Sequence, residues 1–165
     1  MLSLKILDTK LFMNHLLRKN TFDFFQICEA SIKTFSTFHI DGVLNHDFFS
    51  SDENEILANR KYCTWAEQKP FIFQLLKGNK LPLYLKFVLL FPPEKTEQLI
   101  LEYHLPYSIE DIHGLYFNIY FDNNTVTCTS GTSFKIFTMD KTLEQVYETT
   151  LKAFLKQYEI AFEEV

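Results

Sequence analysis

The run from Leu83 to Phe91, LYLKFVLLF, constrains the chain more than any other segment: nine residues with a single charge, Lys86, closed by Pro92-Pro93. It is far short of the ~20 apolar residues a membrane-crossing helix needs. Two consecutive prolines cannot continue a hydrogen-bonded ladder, so the run ends as an extended segment. A strand apolar at both odd and even positions leaves no face for water, which predicts a central strand covered on both faces. The rest of the chain must then supply flanking strands and the helices that cover them.

Those partners are legible on both sides of the run. Leu2, Leu4 and Ile6 alternate with polar residues as in a half-buried strand, and Asp8 stands where an N-cap accepts the first free amides of a helix over 9–19. Leu11, Phe12, His15 and Leu16 form the apolar side of that helix, with Lys10, Asn14, Arg18 and Lys19 mostly opposite. Phe24–Thr34 and Thr37–Leu44 read as strands, with Asp41-Gly42 as a turn signal. Thr64 and Glu67 have capping-box spacing and open a middle helix that stops at Gly78, with Pro70 in its first turn or at a kink. Pro92-Pro93 opens another helix, in which Thr96, Leu99, Ile100 and Tyr103 supply the buried stripe. Leu115, Phe117, Ile119 and Phe121 alternate up to Asn123-Asn124, a hairpin signal; Gly131 is placed for a bulge or turn, and Ser133–Thr138 reads as a further strand. A C-terminal helix over 143–158, capped by Asp140 or Thr142, keeps i, i+3, i+4 spacing for four turns. Residues 47–62 lose all period and gain Ser, Asp and Asn, so they read as a mobile surface connection within one α+β domain over 1–165.

Composition narrows the functions. Four glycines in 165 residues leave almost nothing from which to build a phosphate-cradling loop. Sixteen Lys and Arg against 21 Asp and Glu give a net charge of −5, so the whole-molecule field attracts neither nucleic acid nor an anionic membrane. Arg18 and Arg60 are the only arginines, which disfavours base readout through bidentate guanidinium contacts. Cys28, Cys63 and Cys128 are odd in number and without CxxC spacing, as expected of small buried hydrophobes in a reducing compartment. Lys5, Asp8 and Lys10 interrupt any leader-like apolar stretch near the start, and no run reaches 18 apolar residues. The expectation is a cytoplasmic protein with no membrane association.

The order strand, helix, strand, strand at 2–44 returns at 83–138 as strand, helix and three strands. GLYFNIYFDNNTVTCTSGTSFKIFT, with Ser130, Gly131, Thr132 and Ser133 at its centre, resembles the closing meander of a DNA sliding-clamp domain, and LKILDTKLFMNHLL resembles the opening strand and helix of one. The resemblance implies a doubled βαβββ meander with an extra middle helix and a C-terminal helix. It also implies that helices 9–19 and 93–103 lie side by side across one sheet face. A second resemblance, carried by TFSTFHIDG at 34–42, KPFIFQLLKG at 69–78 and TCTSGTSFKIFT at 127–138, is to a family of small uncharacterised bacterial proteins, a domain of unknown function. It implies no activity.

Candidate chemistry is sparse. His39, Asp41, His46 and Asp47 are the one cluster with metal-ligand residue types, and they carry the alternative reading of a small enzyme or metal-binding protein; their spacing matches no metal motif. Ser130 and Ser133 flank a glycine, yet the GxSxG elbow needs glycines around the serine and a helix after it. Lys10, Arg18 and Lys19 form the candidate nucleic-acid contact, although Glu94, Glu97 and Glu102 on the other helix oppose it, so weak or absent DNA affinity is expected of the isolated chain. Phe48, Phe49 and Trp65, beside the polar connection, form a candidate apolar patch for a protein partner or for self-association. The favoured reading is a non-enzymatic interaction module with no cofactor and no metal.

Overall fold

A computed structural model describes all 165 residues. Its centre is the hairpin of β5 (Ile112–Asp122) and β6 (Thr125–Phe134). The two turn residues, Asn123 and Asn124, have φ of 47° and 57°. A two-residue turn with both centres left-handed matches the twist of its strands, and asparagine tolerates that conformation. On one side of the hairpin lie β4 (Tyr84–Leu90), β2 (Gln26–Lys33) and β3 (Thr37–Asp41); on the other lie β1 (Ser3–Ile6) and β7 (Phe162–Glu164). They form one seven-stranded sheet in the order β3-β2-β4-β5-β6-β1-β7, with every neighbouring pair antiparallel.

The helices are α1 (Thr9–Leu17), α2 (Ser51–Leu57), α3 (Trp65–Leu76), α4 (Pro93–Glu102) and α5 (Thr142–Gln157). Leu85, Phe87 and Leu89 of β4, Leu115, Phe117 and Ile119 of β5, and Val126 and Cys128 of β6 are buried beneath helices. Trp65 of α3 meets Phe87 edge-on at 5.1 Å, and Tyr147 of α5 lies 5.4 Å from Phe91. The opposite face, with Tyr84, Lys86, Val88, Tyr116, Asn118 and Tyr120, remains half exposed. The expectation of cover on both sides of 83–91 is therefore corrected: β4 is interior to the sheet, but its second face is shielded only by its neighbours' side chains. Lys86, for example, spans the outer face to Glu29 at 2.9 Å. An apolar run on both faces needed only partial shelter on one of them.

Caps follow the sequence closely. The Asp8 carboxylate accepts the Leu11 N–H at 3.0 Å, Thr64 and Glu67 close a reciprocal box, and Pro93 occupies the first position of α4. At α5 the cap position is Lys141, and Asp140, one residue earlier, takes the Thr142 amide and hydroxyl. Other segments depart from expectation. Tyr103, expected in the buried stripe of α4, stands just past its last turn and is 50% exposed. Phe24 and Phe25 precede β2 rather than opening it, because Phe22 and Phe25 turn inward and stack on Phe117 at 6.2 and 6.1 Å. β6 runs unbroken through Gly131, paired with Tyr116, so no separate strand forms at 133–138. The irregularity lies instead on β5 between Ile112 and Gly114, where a Cβ on Gly114 would stand 2.5 Å from the Leu90 side chain. Residues 47–62 hold α2, started by a reciprocal Ser50–Glu53 box, rather than an irregular connection.

The chain is thus an α+β protein, and the strand–helix–strand–strand order does recur. The two units differ in sense. Four antiparallel steps separate β1 from β2, which makes them parallel, whereas β4 and β5 are antiparallel neighbours. Each unit is strand, helix and two strands, so the doubled βαβββ order expected from the sliding-clamp resemblance is not found, and the two units also differ in strand direction. Nor do α1 and α4 stand as a pair: α4 packs on α5, while α1 meets α5 through His15 and Tyr158 and α3 through Trp65.

Trp65 is the chain's only tryptophan and is fully buried, so it reports on this core directly. Its native emission is expected to be blue-shifted and poorly quenched by acrylamide. Trp65→Ala should cost about 3–5 kcal/mol in urea unfolding, as truncation of large buried aromatics does. Acrylamide quenching as efficient as that of the unfolded chain would contradict this placement.

Candidate functional site

A large open groove lies between α1 and α3. Along α1, Lys10, Met13, Asn14, Leu17 and Arg18 recur at helical spacing and form one wall. The other wall is Phe73, Leu76 and Lys77 at the C-terminal end of α3, continued by Gly78, Leu81 and Pro82; Phe121 and Asn124 of the hairpin close the end. The groove encloses about 1010 Å³ and opens to solvent. Gly78, at φ 143°, lets the chain leave α3 sharply and turn toward β4 along this edge.

Two buried polar contacts hold the α1 wall in place. The Trp65 indole N–H donates to the Leu16 carbonyl at 2.8 Å, and His15 Nδ1 lies 2.7 Å from the Thr21 hydroxyl. Lys69 of α3 reaches across to the Lys19 carbonyl at 2.9 Å and to Asp23 at 2.6 Å. Leu17 and Phe73 then face each other, and the Arg18 guanidinium sits 5.9 Å from the Phe73 ring centre. Of the groove's charges, Asp8 is committed to capping α1, while Lys10, Arg18 and Lys77 make no ion pair. The result is an apolar floor with a cationic rim on a molecule of net charge −5.

The structure redistributes the residues singled out from sequence. Lys10 and Arg18 share the groove; Lys19 lies beyond the C-terminal end of α1 and does not line it. Phe48 is 83% exposed and packs edge-on with half-buried Phe49. Trp65 is no part of that patch: as the first residue of α3 it points into the core, which corrects its assignment as a partner contact. His39, Asp41, His46 and Asp47 do not converge. His39 contacts Ser31 at 3.1 Å, the Asp41 carboxylate accepts the Val43 amide, and both His46 ring nitrogens are engaged, by Asn54 at 2.9 Å and by the Arg60 carbonyl at 3.1 Å. Ser130 is buried, accepts the Leu2 amide at 2.9 Å and donates toward Glu148. Burial pushes the Cys28 thiol up to about 11 and raises Cys128 further still, so neither is a ready thiolate.

The α3 wall was missed from sequence. By spacing, Phe71, Ile72, Leu75 and Leu76 form one apolar helical face, yet Phe71 is 67% exposed and only Ile72 among them is fully enclosed. The signal that was available is Phe73-x-x-Leu76-Lys77, one turn of apolar and basic residues just before the helix stop.

An antiparallel sheet with α1, α3, α4 and α5 packed on one face and an open groove between two of them defines an α+β fold. The protein belongs to the Family of unknown function (DUF5721), whose family model matches residues 15–163. No curated protein and no solved structure matches the chain. No helix is long and apolar enough to cross a membrane.

His15 anchors α1 through Thr21, so its protonation bears on the stability of the fold. Burial, then the nearby Lys19 charge, lowers the His15 pKa below its ordinary 6.5. The unfolded chain therefore binds this proton more readily than the folded one, and stability falls as pH drops below about 6.5, levelling off beneath the folded value. Urea midpoints taken from pH ~8 to ~5 should decline, and His15→Gln should flatten the part of that decline assigned to this ring. An unchanged slope in the variant would contradict the assignment.

Proposed function

We propose that this protein is a non-enzymatic, cytoplasmic protein-interaction module whose groove between α1 and α3 takes an acidic amphipathic segment of another polypeptide. The observation that carries the reading is the set of three unpaired cations, Lys10, Arg18 and Lys77, around an apolar floor in an otherwise acidic molecule. An amphipathic helix laid in a groove presents apolar anchors at i, i+3, i+4 and i+7, and carboxylates between them would meet the rim. Rim charges of this kind act mainly on encounter rate and orientation, while the apolar floor supplies most of the affinity. The three free cysteines accord with a reducing compartment.

Nucleic acid fits the same groove less well. Phe73 is the exposed-wall aromatic available for base stacking, and Arg18 already lies over it. With three cations, a phosphate backbone would gain only a weak, salt-labile contact.

The test uses a fluorescent helical peptide with Leu and Phe on one face and Glu on the other, followed by anisotropy. The intact chain should bind it, and Arg18→Glu with Lys77→Glu should weaken binding about tenfold or more, in line with charge reversal at an interface. A short linear DNA duplex should show no appreciable affinity near physiological ionic strength. Equal binding of a neutral peptide of the same apolar pattern, or tighter binding of the duplex, would overturn the reading.

A further inference from the structure

The chain itself carries a segment of the kind the groove would accept. Residues 45–60 leave the sheet after β3 and return to it through a narrow neck. The Gly42 amide donates to the Cys28 carbonyl at 2.9 Å, the Cys63 amide to the Gly42 carbonyl at 2.8 Å, and the Leu44 amide to the Lys61 carbonyl at 2.8 Å. Gly42 is obligatory there, since a Cβ would lie 1.7 Å from the Ile27 carbonyl oxygen. Beyond the neck the segment is held by its own contacts and by one to α3: Asn54 bridges the His46 ring and the His46 carbonyl, the Ser50–Glu53 box starts α2, and Arg60 pairs with Glu67. What it presents outward is Phe48, 83% exposed, and Ile56, 87% exposed, among Asp47, Asp52, Glu53 and Glu55, with no Lys or Arg between Leu44 and Asn59. This is an ordered acidic knob with two large apolar side chains in water.

Knob and groove stand at opposite ends of α3. The neck closes just before Trp65, whereas the groove is formed around Phe73 to Lys77, and the 12-residue helix spans about 18 Å at 1.5 Å per residue. The knob is therefore separated from its own groove by about the length of α3 and stands in solvent, free to enter another. We propose that the groove's occupant is a second copy of this chain: the acidic knob of one molecule, through Phe48 and Ile56, docks in the Lys10, Arg18 and Lys77 groove of the next. The proposal rests on the groove reading above and names its partner. The contact joins unlike surfaces, so it closes as a ring, whose smallest form is two copies exchanging knobs, or continues as an open chain. A knob of this size buries less than a standard interface, so association is weak, concentration-dependent and reduced by salt.

Sedimentation velocity of the full chain over a wide concentration range, at low and high salt, should show a mean mass that rises with concentration and falls with salt. Arg18→Glu with Lys77→Glu, in the groove, and Phe48→Ser with Ile56→Ser, on the knob, should each leave monomers while unfolding at the wild-type temperature. Mixed in equal amounts, the two variants retain one good groove and one good knob between them and should give a one-to-one dimer that grows no further. Wild type that stays monomeric throughout, association that survives both variants, or a mixture that fails to dimerise would each overturn the proposal. If the knob variant still binds the acidic peptide while wild type stays monomeric, only the self-association fails; if the peptide is not bound either, the groove reading fails with it.

Discussion

The register of β5 between β4 and β6 is the constraint on which the other contacts depend. Leu85 is opposite Phe121, Phe87 opposite Ile119 and Leu89 opposite Phe117, and on the far side Ile119 is opposite Cys128. Because side chains alternate with period two, a slip by one residue would turn this whole set to solvent and bring Tyr116, Asn118 and Tyr120 inside. The asparagine turn pins one end of the register, and Phe22 and Phe25 stacked on Phe117 pin the other. With one apolar face so defined, α1, α3, α4 and α5 pack on the same side, and a groove arises where two of them diverge.

Local chemistry was the legible part of the sequence. The caps at Asp8, Thr64 and Pro93, the stop at Gly78 and the Asn123-Asn124 turn depend on contacts a few residues apart, and each is found where the spacing put it. α2 had the same kind of signal in Ser50 and Glu53, but polar composition concealed it. Packing was less legible. Phe24 and Phe25 resemble the start of a strand until the tertiary fold turns Phe22 and Phe25 inward, and Trp65 next to a polar segment looks exposed until α3 aims it at Phe87. β7 is three residues long, two of them glutamate, and becomes a strand only because β1 offers an edge.

The groove divides along the same line. Its α1 wall was readable as a solvent-facing stripe, since Lys10, Asn14 and Arg18 repeat every four residues. Its α3 wall was not, because nothing in one helix states which neighbour it will face or how widely the two will splay. Charge on α1 alone pointed to phosphate; set beside Phe73, Leu76 and Leu81, the same charges rim an apolar surface.

The narrow neck also bears on how this chain can change over time. Entry and exit of residues 45–60 are fastened within one ladder step of each other, by Leu44 to Lys61 and Gly42 to Cys63. Arg60, paired with Glu67, is the one residue of the excursion tied to α3; the rest can lengthen, shorten or be exchanged without moving β3 or α3, and the entropic cost of a longer excursion grows only with the logarithm of its length. The knob is thus a graft on the scaffold, free to diversify in sequence, while the glycine at its base tolerates no substitution.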